Sequence, residues 1–303
     1  MKPNPLIVLF ISILSVSFAA ILIVLCSAPP LSISFYRLLF TTILLTPALI
    51  LYPRYRQEIK NLSRKSLLIM LLIGVILAVH FSLWISSLKL TSVASSVILV
   101  TAHPVLVGPI SHFFLKEHLS KKNIIGISIS LIGVVILVYA NYGFTGSGID
   151  PFTGNILAFL GGIAAGLYIL GGRIMRKQIS TITYAITVYS IATIVLFVFV
   201  LINGSPLLGL SQRDLFLIFL MALIAGIFGH TFYNWSLAHL RASFASVALL
   251  GEPIGSSLLA YIIPWINQIP TPYTLLGGGI ILSGIYLTAR QKKTIPYLEK
   301  LNV

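Results

Sequence analysis

The side chains capable of chemistry are few in this sequence, and most interrupt runs that are otherwise apolar. Glu252 falls near the middle of one such run and is followed by Pro253. His103 precedes Pro104 in another run, 149 residues earlier. His80 and His230 are 150 residues apart; Trp84 follows the first, and Tyr233 and Asn234 follow the second. On a helix, positions i and i+4 share a face, so His80 joins Trp84 and His230 joins Asn234, with Tyr233 beside them. An imidazole can donate and accept hydrogen bonds and changes charge near neutral pH. A proline leaves the carbonyl four residues back without its helical donor. Polar groups of this kind around a cavity could bind a small amphipathic solute, and Glu252 could carry a proton in competition with it. Plainer readings stand beside these. Glu252 could be a protonated or paired carboxylate that joins two helices. The histidines could be neutral and bonded to backbone or hydroxyls, and Trp84 and Trp235 could sit at headgroup depth.

Three further charges matter. Arg37 lies inside the second apolar run; it either snorkels to the non-cytoplasmic surface, offers charge to an anionic solute, or pairs with Asp150. Glu117 and Lys121, i and i+4, are the expected helix-end or gate ion pair. His112 and His118 lack matching ligands and are read as structural. No His-Glu-x-x-His, paired-aspartate or P-loop spacing occurs, so no metal, cofactor or catalytic centre is expected and the chain is not read as an enzyme. Cys26 is the single cysteine, which excludes an intrachain disulfide and a thiolate cluster.

A membrane must position these groups. Of 303 residues, 57% are hydrophobic and 9% charged, against roughly 25% charged in soluble domains. So few charges cannot cover a soluble surface of this size. The chain is therefore all-α and polytopic, with apolar helices expected at 5–27, 31–51, 66–88, 91–115, 123–141, 152–172, 182–202, 214–238, 242–264 and 272–289. The first is read as a spanning helix rather than a cleavable signal. The net charge of +14 is confined to the gaps between runs, which favours membrane orientation over nucleic-acid binding. With these ten transmembrane helices, seventeen of the twenty Lys and Arg fall on one side, including the Arg54–Lys65 stretch. Two, Lys89 and Arg213, fall on the other, and Arg37 lies within a helix. The positive-inside rule makes the first side cytoplasmic, together with both termini.

The two halves also resemble each other. Leu90-Thr91-Ser92 corresponds to Leu240-Arg241-Ala242, and Ser95-Ser96-Val97 to Ala245-Ser246-Val247, at the same offset as the histidines. Five helices is an odd number, so such a repeat is inverted across the membrane, a plan common among alternating-access carriers. The expected repeats are 1–145 and 146–303, the second with a short basic tail.

Several short motifs carry a family resemblance over essentially the whole chain. Phe35-Tyr36-Arg37, Leu88-Lys89-Leu90-Thr91-Ser92-Val93-Ala94, Pro104 with Phe114-Leu115-Lys116-Glu117, and Gly251-Glu252-Pro253 occur in the order seen in the EamA branch of the drug/metabolite transporter superfamily, which the sequence resembles. Two places depart from the pattern. Ile263-Pro264-Trp265-Ile266-Asn267 lacks the glutamate that Glu117 supplies in the first half, and Val16-Ser17-Phe18-Ala19 blurs a glycine-tryptophan pattern. The resemblance implies a multi-pass cell-membrane transporter that exports or exchanges a small metabolite, amino-acid-like or otherwise amphipathic. The expected partners are that solute, membrane lipids, protons as a coupling ion and a second copy in a homodimer, with no nucleic acid. The alternative is a channel-like or structural membrane protein; a channel would want a continuous polar stripe or selectivity ring, whereas the deep polar residues here are few and clustered.

Overall fold

The computed structural model describes residues 3–91, 96, 99–142, 149–262 and 272–289. Every regular element among them is helical. In chain order they are α1 (Pro5–Leu25), α2 (Pro30–Leu51), α3 (Pro53–Lys60), α4 (Arg64–Leu90), α5 (Pro104–Phe114) and α6 (Lys121–Tyr142). The second half continues with α7 (Pro151–Met175), α8 (Thr181–Ile202), α9 (Gln212–His239), α10 (Ala242–Ala248), α11 (Glu252–Ile262) and α12 (Pro272–Ala289). Side-chain caps set the starts: Ser63, Asp150, Ser180 and Ser211 each accept a hydrogen bond from a first-turn amide of α4, α7, α8 and α9. Proline at the first turn begins α1, α2 and α7, where its missing N–H costs nothing.

Among the described residues, six helices are long and apolar enough to cross a bilayer: Pro5–Ile23 within α1, then α2, α4, α7, α8 and α9. The protein is a multi-pass α-helical membrane protein. Large apolar side chains such as Phe10, Ile43, Leu68, Phe159, Ile194 and Leu276 cover its outside, where lipid tails take the place of water.

The structure changes several expected segments. The basic Arg54–Lys65 stretch, expected as loop, contains α3, and Glu58 of α3 ties it to α8 by accepting from the Ser180 amide at 2.8 Å and from the Ser180 and Thr183 hydroxyls. The expected helices at 91–115 and 242–264 are not continuous. The first breaks over Ala102 and His103, just before Pro104; the second passes through a single 3-10 turn, Leu249–Gly251, just before Pro253. Proline lacks the N–H donor and clashes with the carbonyl four residues back, here that of Val100 and of Leu249, which favours a break at each site, whereas Pro47 within α2 and Pro109 within α5 are absorbed by continuous helices. A third irregularity lies inside α9, where Ala222–Thr231 widens to a π-helix. Thr231 Oγ1 there donates to the Gly226 carbonyl five residues back at 3.0 Å. The motifs through Ser92–Ala94, the pair Ser95 and Val97, the Ile263–Asn267 departure and the basic residues Lys2, Arg290, Lys292, Lys293 and Lys300 lie outside the described residues.

Small residues let the helices meet backbone to backbone. A methyl on Gly284 of α12 would lie 2.5 Å from the Gly126 carbonyl of α6, and one on Gly133 would lie 2.7 Å from the Ile281 amide. Gly162 of α7 meets the Leu99 carbonyl in the same way, at 2.7 Å. Helix α1 is held by polar contacts inside the bundle. Ser12 Oγ donates to the Gly229 carbonyl at 3.0 Å, Ser17 Oγ to the Glu252 carbonyl at 3.2 Å, and Ser256 Oγ to the Ser17 carbonyl at 2.9 Å. Such bonds replace the hydrophobic drive that lipid cannot supply. They also bring α1, the π segment of α9 and the start of α11 around one space.

Candidate functional site

That space is an internal cavity in which about 80 Å³ is open to the centre of a water molecule. His80, Trp84, His103, His230, Tyr233 and Glu252 all line it. They arrive from α4, α9 and the two helix breaks. The breaks bring backbone with them, for Val100 and Thr101 precede His103, and Leu249 precedes Glu252, on the cavity wall. His103 and Glu252 therefore face one another's space from equivalent interruptions in the two halves. Val16, Ala19, Ala165 and Ile169 give the remaining wall an apolar character.

Each histidine is fixed differently. His80 donates from Nδ1 to the Gly161 carbonyl at 2.9 Å and stacks on Trp84, ring centroids 6.0 Å apart and 8° from parallel. His103 Nδ1 lies 2.7 Å from Ser246 Oγ of α10, which joins the two breaks across the halves. His230 meets the Phe81 ring edge-on at 5.3 Å. Asn234 is buried outside the cavity lining. Its amide donates to Tyr168 Oη at 2.6 Å and to Tyr189 Oη at 3.0 Å, and so holds Tyr168, which does line the cavity. The Glu252 carboxylate has no hydrogen-bond partner among the described residues and lies within electrostatic reach of Arg37.

Arg37 corrects one expectation. It does not snorkel: its side chain is 1% exposed, lines the same cavity, and lies 4.5 Å over the Phe81 ring. Nor does it meet Asp150, which is exposed and accepts from the Thr153 amide at 3.1 Å as the N-cap of α7. The inward turn of α2 decides this, because Phe35 and Leu38 beside it are buried in the same core.

Glu117 corrects another. Its partner is Arg173 of α7, with Nε 2.6 Å from Oε1, and not Lys121, which is exposed. Oε2 accepts from the Ala242 amide at 2.8 Å, the first turn of α10, and Lys177 Nζ stands 4.0 Å away. Arg173 also donates to the Leu237 carbonyl at 2.6 Å, and Arg241 to that of His118 at 3.2 Å. One carboxylate thus ties the turn after α5 to the end of α7 and to the α9–α10 turn. The backbone places it there, since Lys116 adopts a left-handed φ of 54° that reverses the chain just before Glu117. No group of three or more His, Cys, Asp or Glu side chains positioned to hold a metal occurs among the described residues.

The sequence profile of the EamA-like transporter family matches residues 2–139 and again residues 152–290. The chain belongs to the EamA-like transporter family. An uncharacterized transporter of Archaeoglobus fulgidus is 24% identical over 294 residues, which covers 96% of this chain and 98% of the relative. A second from the same organism is 27% identical over 213 residues, 70% of this chain and 73% of the relative. The uncharacterized transporter YyaM of Bacillus subtilis is 24% identical over 248 residues, 78% and 77% respectively. A crystal structure superposes with a TM-score of 0.75 at 18% identity, covering 93% of this chain and 94% of the other, a likeness of fold. This EamA-like protein is a small-molecule transporter of the cell membrane and not an enzyme.

Several residues of the site were hidden in the sequence of this EamA-like chain. Tyr168, Phe81 and Ser246 read as ordinary members of apolar or small-residue helices, and nothing in their spacing separates them from packing positions. Arg173 read as a loop charge beside Arg176 and Lys177. The available signal was its place at the end of the glycine-rich α7, which lets that helix end come close to its neighbours.

Proposed function

We propose that this chain is a secondary transporter that exports or exchanges a small amphipathic, amino-acid-like metabolite by alternating access. It is built from ten transmembrane helices in two inverted five-helix repeats, 1–145 and 146–303, with both termini cytoplasmic. The observation that carries the reading is that His103 and Glu252, at the two helix breaks beside Pro104 and Pro253, line one cavity. Broken helices around a central site are how carriers present polar backbone and charge to a solute without exposing them to lipid. His80, Trp84, His103, His230, Tyr233 and Glu252 are the solute-contacting residues in this reading, and Asn234 positions Tyr168. Glu252 takes and releases the coupling proton. The Glu117–Arg173 node closes the cytoplasmic end and opens when the repeats rock against each other. A homodimer in the membrane completes the reading.

Counterflow tests it. Purified protein in liposomes preloaded with an unlabelled amino-acid mixture should accelerate uptake of the labelled mixture, and preloading should have no such effect through a channel. An absence of acceleration with every metabolite pool tried would overturn the carrier reading. Topology has its own test, on a Cys26→Ala background with single cysteines placed in α3. Labelling of α3 by an impermeant thiol reagent from outside intact cells would overturn the ten-helix orientation.

A further inference from the structure

We propose that the cavity takes its solute by a carboxylate, anchored on the Arg37 guanidinium with Trp84 Nε1 and Tyr233 Oη as further donors. This deepens the transporter reading and rests on it. Arg37 Nη1 and Nη2, Trp84 Nε1 and Tyr233 Oη are buried and have no hydrogen-bond partner among the described residues, and all three side chains line the same cavity. A buried donor left unmatched is destabilising, the more so when it is charged. Such a debt around one cavity points to an occupant that supplies acceptors. The Phe81 ring beneath Arg37 attracts its charge but offers no lone pair in the plane of the guanidinium, where the Nη hydrogens point. Glu252 reaches Arg37 electrostatically but makes no ion pair with it within 4.0 Å, so the fork stays open.

The occupant's chemistry follows from what surrounds these donors. A planar guanidinium with two free Nη groups matches a carboxylate bidentately. Val16, Val100, Ile169 and Leu249 supply apolar wall, which suits a hydrocarbon body and disfavours a fully hydrated oxyanion such as free phosphate. The space of about 80 Å³ open to the centre of a water molecule suits a compact occupant. Glu252 on the same wall would accept an ammonium on that acid, so a zwitterion fits and a lone amine does not satisfy Arg37.

The test uses the purified full-length protein and four probes that share one branched five-carbon skeleton, 3-methylbutanoate, 3-methylbutanamide, 3-methylbutan-1-amine and valine, with inorganic phosphate as a fifth. Binding is read by calorimetry and by thermal stabilisation. The two carboxylates should bind at least tenfold more tightly than the amide and the amine, and phosphate should not displace them. Arg37→Gln should remove that preference while leaving the amide unchanged, and Arg37→Lys should restore part of it. Trp84→Phe and Tyr233→Phe each keep an aromatic ring, lose one donor, and should weaken 3-methylbutanoate severalfold; they carry the test if Arg37→Gln does not fold. Equal binding of amide and carboxylate, displacement by phosphate, no binding by either carboxylate, or unchanged affinity in both ring variants would overturn the site. Counterflow of labelled 3-methylbutanoate separates the two readings. Charge-selective binding without counterflow keeps the site and sinks the carrier; counterflow blind to charge does the reverse.

Discussion

Removing the Glu117 carboxylate should cost this protein a large part of its stability, although the residue lies outside the cavity. Glu117 and Arg173 side chains are 6% and 11% exposed, so water screens their 2.6 Å contact weakly. Losing one partner of a buried pair leaves the other uncompensated and costs about 3–5 kcal/mol, whereas a solvated pair is worth about 0–1 kcal/mol. The Ala242 amide, 0% exposed, would also lose its acceptor at the first turn of α10. Arg173 keeps the Leu237 carbonyl, which holds the total towards the lower end. Glu117→Ala should therefore destabilise by about 3 kcal/mol, about a hundredfold in the unfolding equilibrium. Glu117→Gln retains an acceptor for Ala242 and should cost about half as much. Lys121→Ala should stay within about 0.5 kcal/mol, because Lys121 is exposed and is not the partner. Reversible unfolding in mixed detergent micelles measures all three, and a Glu117→Ala/Arg173→Ala double-mutant cycle should show coupling of about 1–3 kcal/mol. If Glu117→Ala stays within about 0.5 kcal/mol of the parent, or Lys121→Ala matches it, the node is a solvated surface cluster and the reasoning fails.

Three other outcomes are expected. Glu252→Gln keeps shape and loses the ionisable proton, so it should fold, lose pH-dependent transport and retain exchange; an unchanged pH profile of transport would leave Glu252 a packing residue. Burial raises the Glu58 pKa, but hydrogen bonds from the Ser180 and Thr183 hydroxyls and the Ser180 amide outweigh it and hold the carboxylate below its ordinary value of 4.5. Its stabilisation is thus present above 4.5 and lost as pH falls through the depressed folded value, so the parent's melting temperature should drop there more steeply than that of Glu58→Gln; parallel curves would count against the link between α3 and α8. Gly284→Ala would place a methyl 2.5 Å from the Gly126 carbonyl and should cost about 1–3 kcal/mol, whereas Gly279→Ala, with nothing within 4 Å, should be neutral or slightly stabilising in the same unfolding assay.

Composition and hydropathy along the chain sufficed for a multi-pass helical membrane protein, because lipid leaves the backbone almost no other way to satisfy itself. Short motifs sufficed for the family, and the matched places of His103-Pro104 and Glu252-Pro253 singled out the chemistry-bearing residues, since polar groups inside apolar runs are costly unless something uses them. What a linear pattern could not supply was direction and partnership. Arg37, the eighth residue of α2, is by spacing equally compatible with snorkelling and with burial; only the packing of α2 against α4, with Phe81 under the guanidinium, turns it inward. Glu117 has a plausible partner four residues away at Lys121, yet its partners are Arg173 and Ala242, 56 and 125 residues distant, because the left-handed turn at Lys116 and the glycine-thinned α7 bring those chain ends together. Local spacing specifies which face of a helix a residue occupies. Which face meets which, and therefore which charges are paired and which are left open around a cavity, is decided by long-range packing that only the tertiary structure contains.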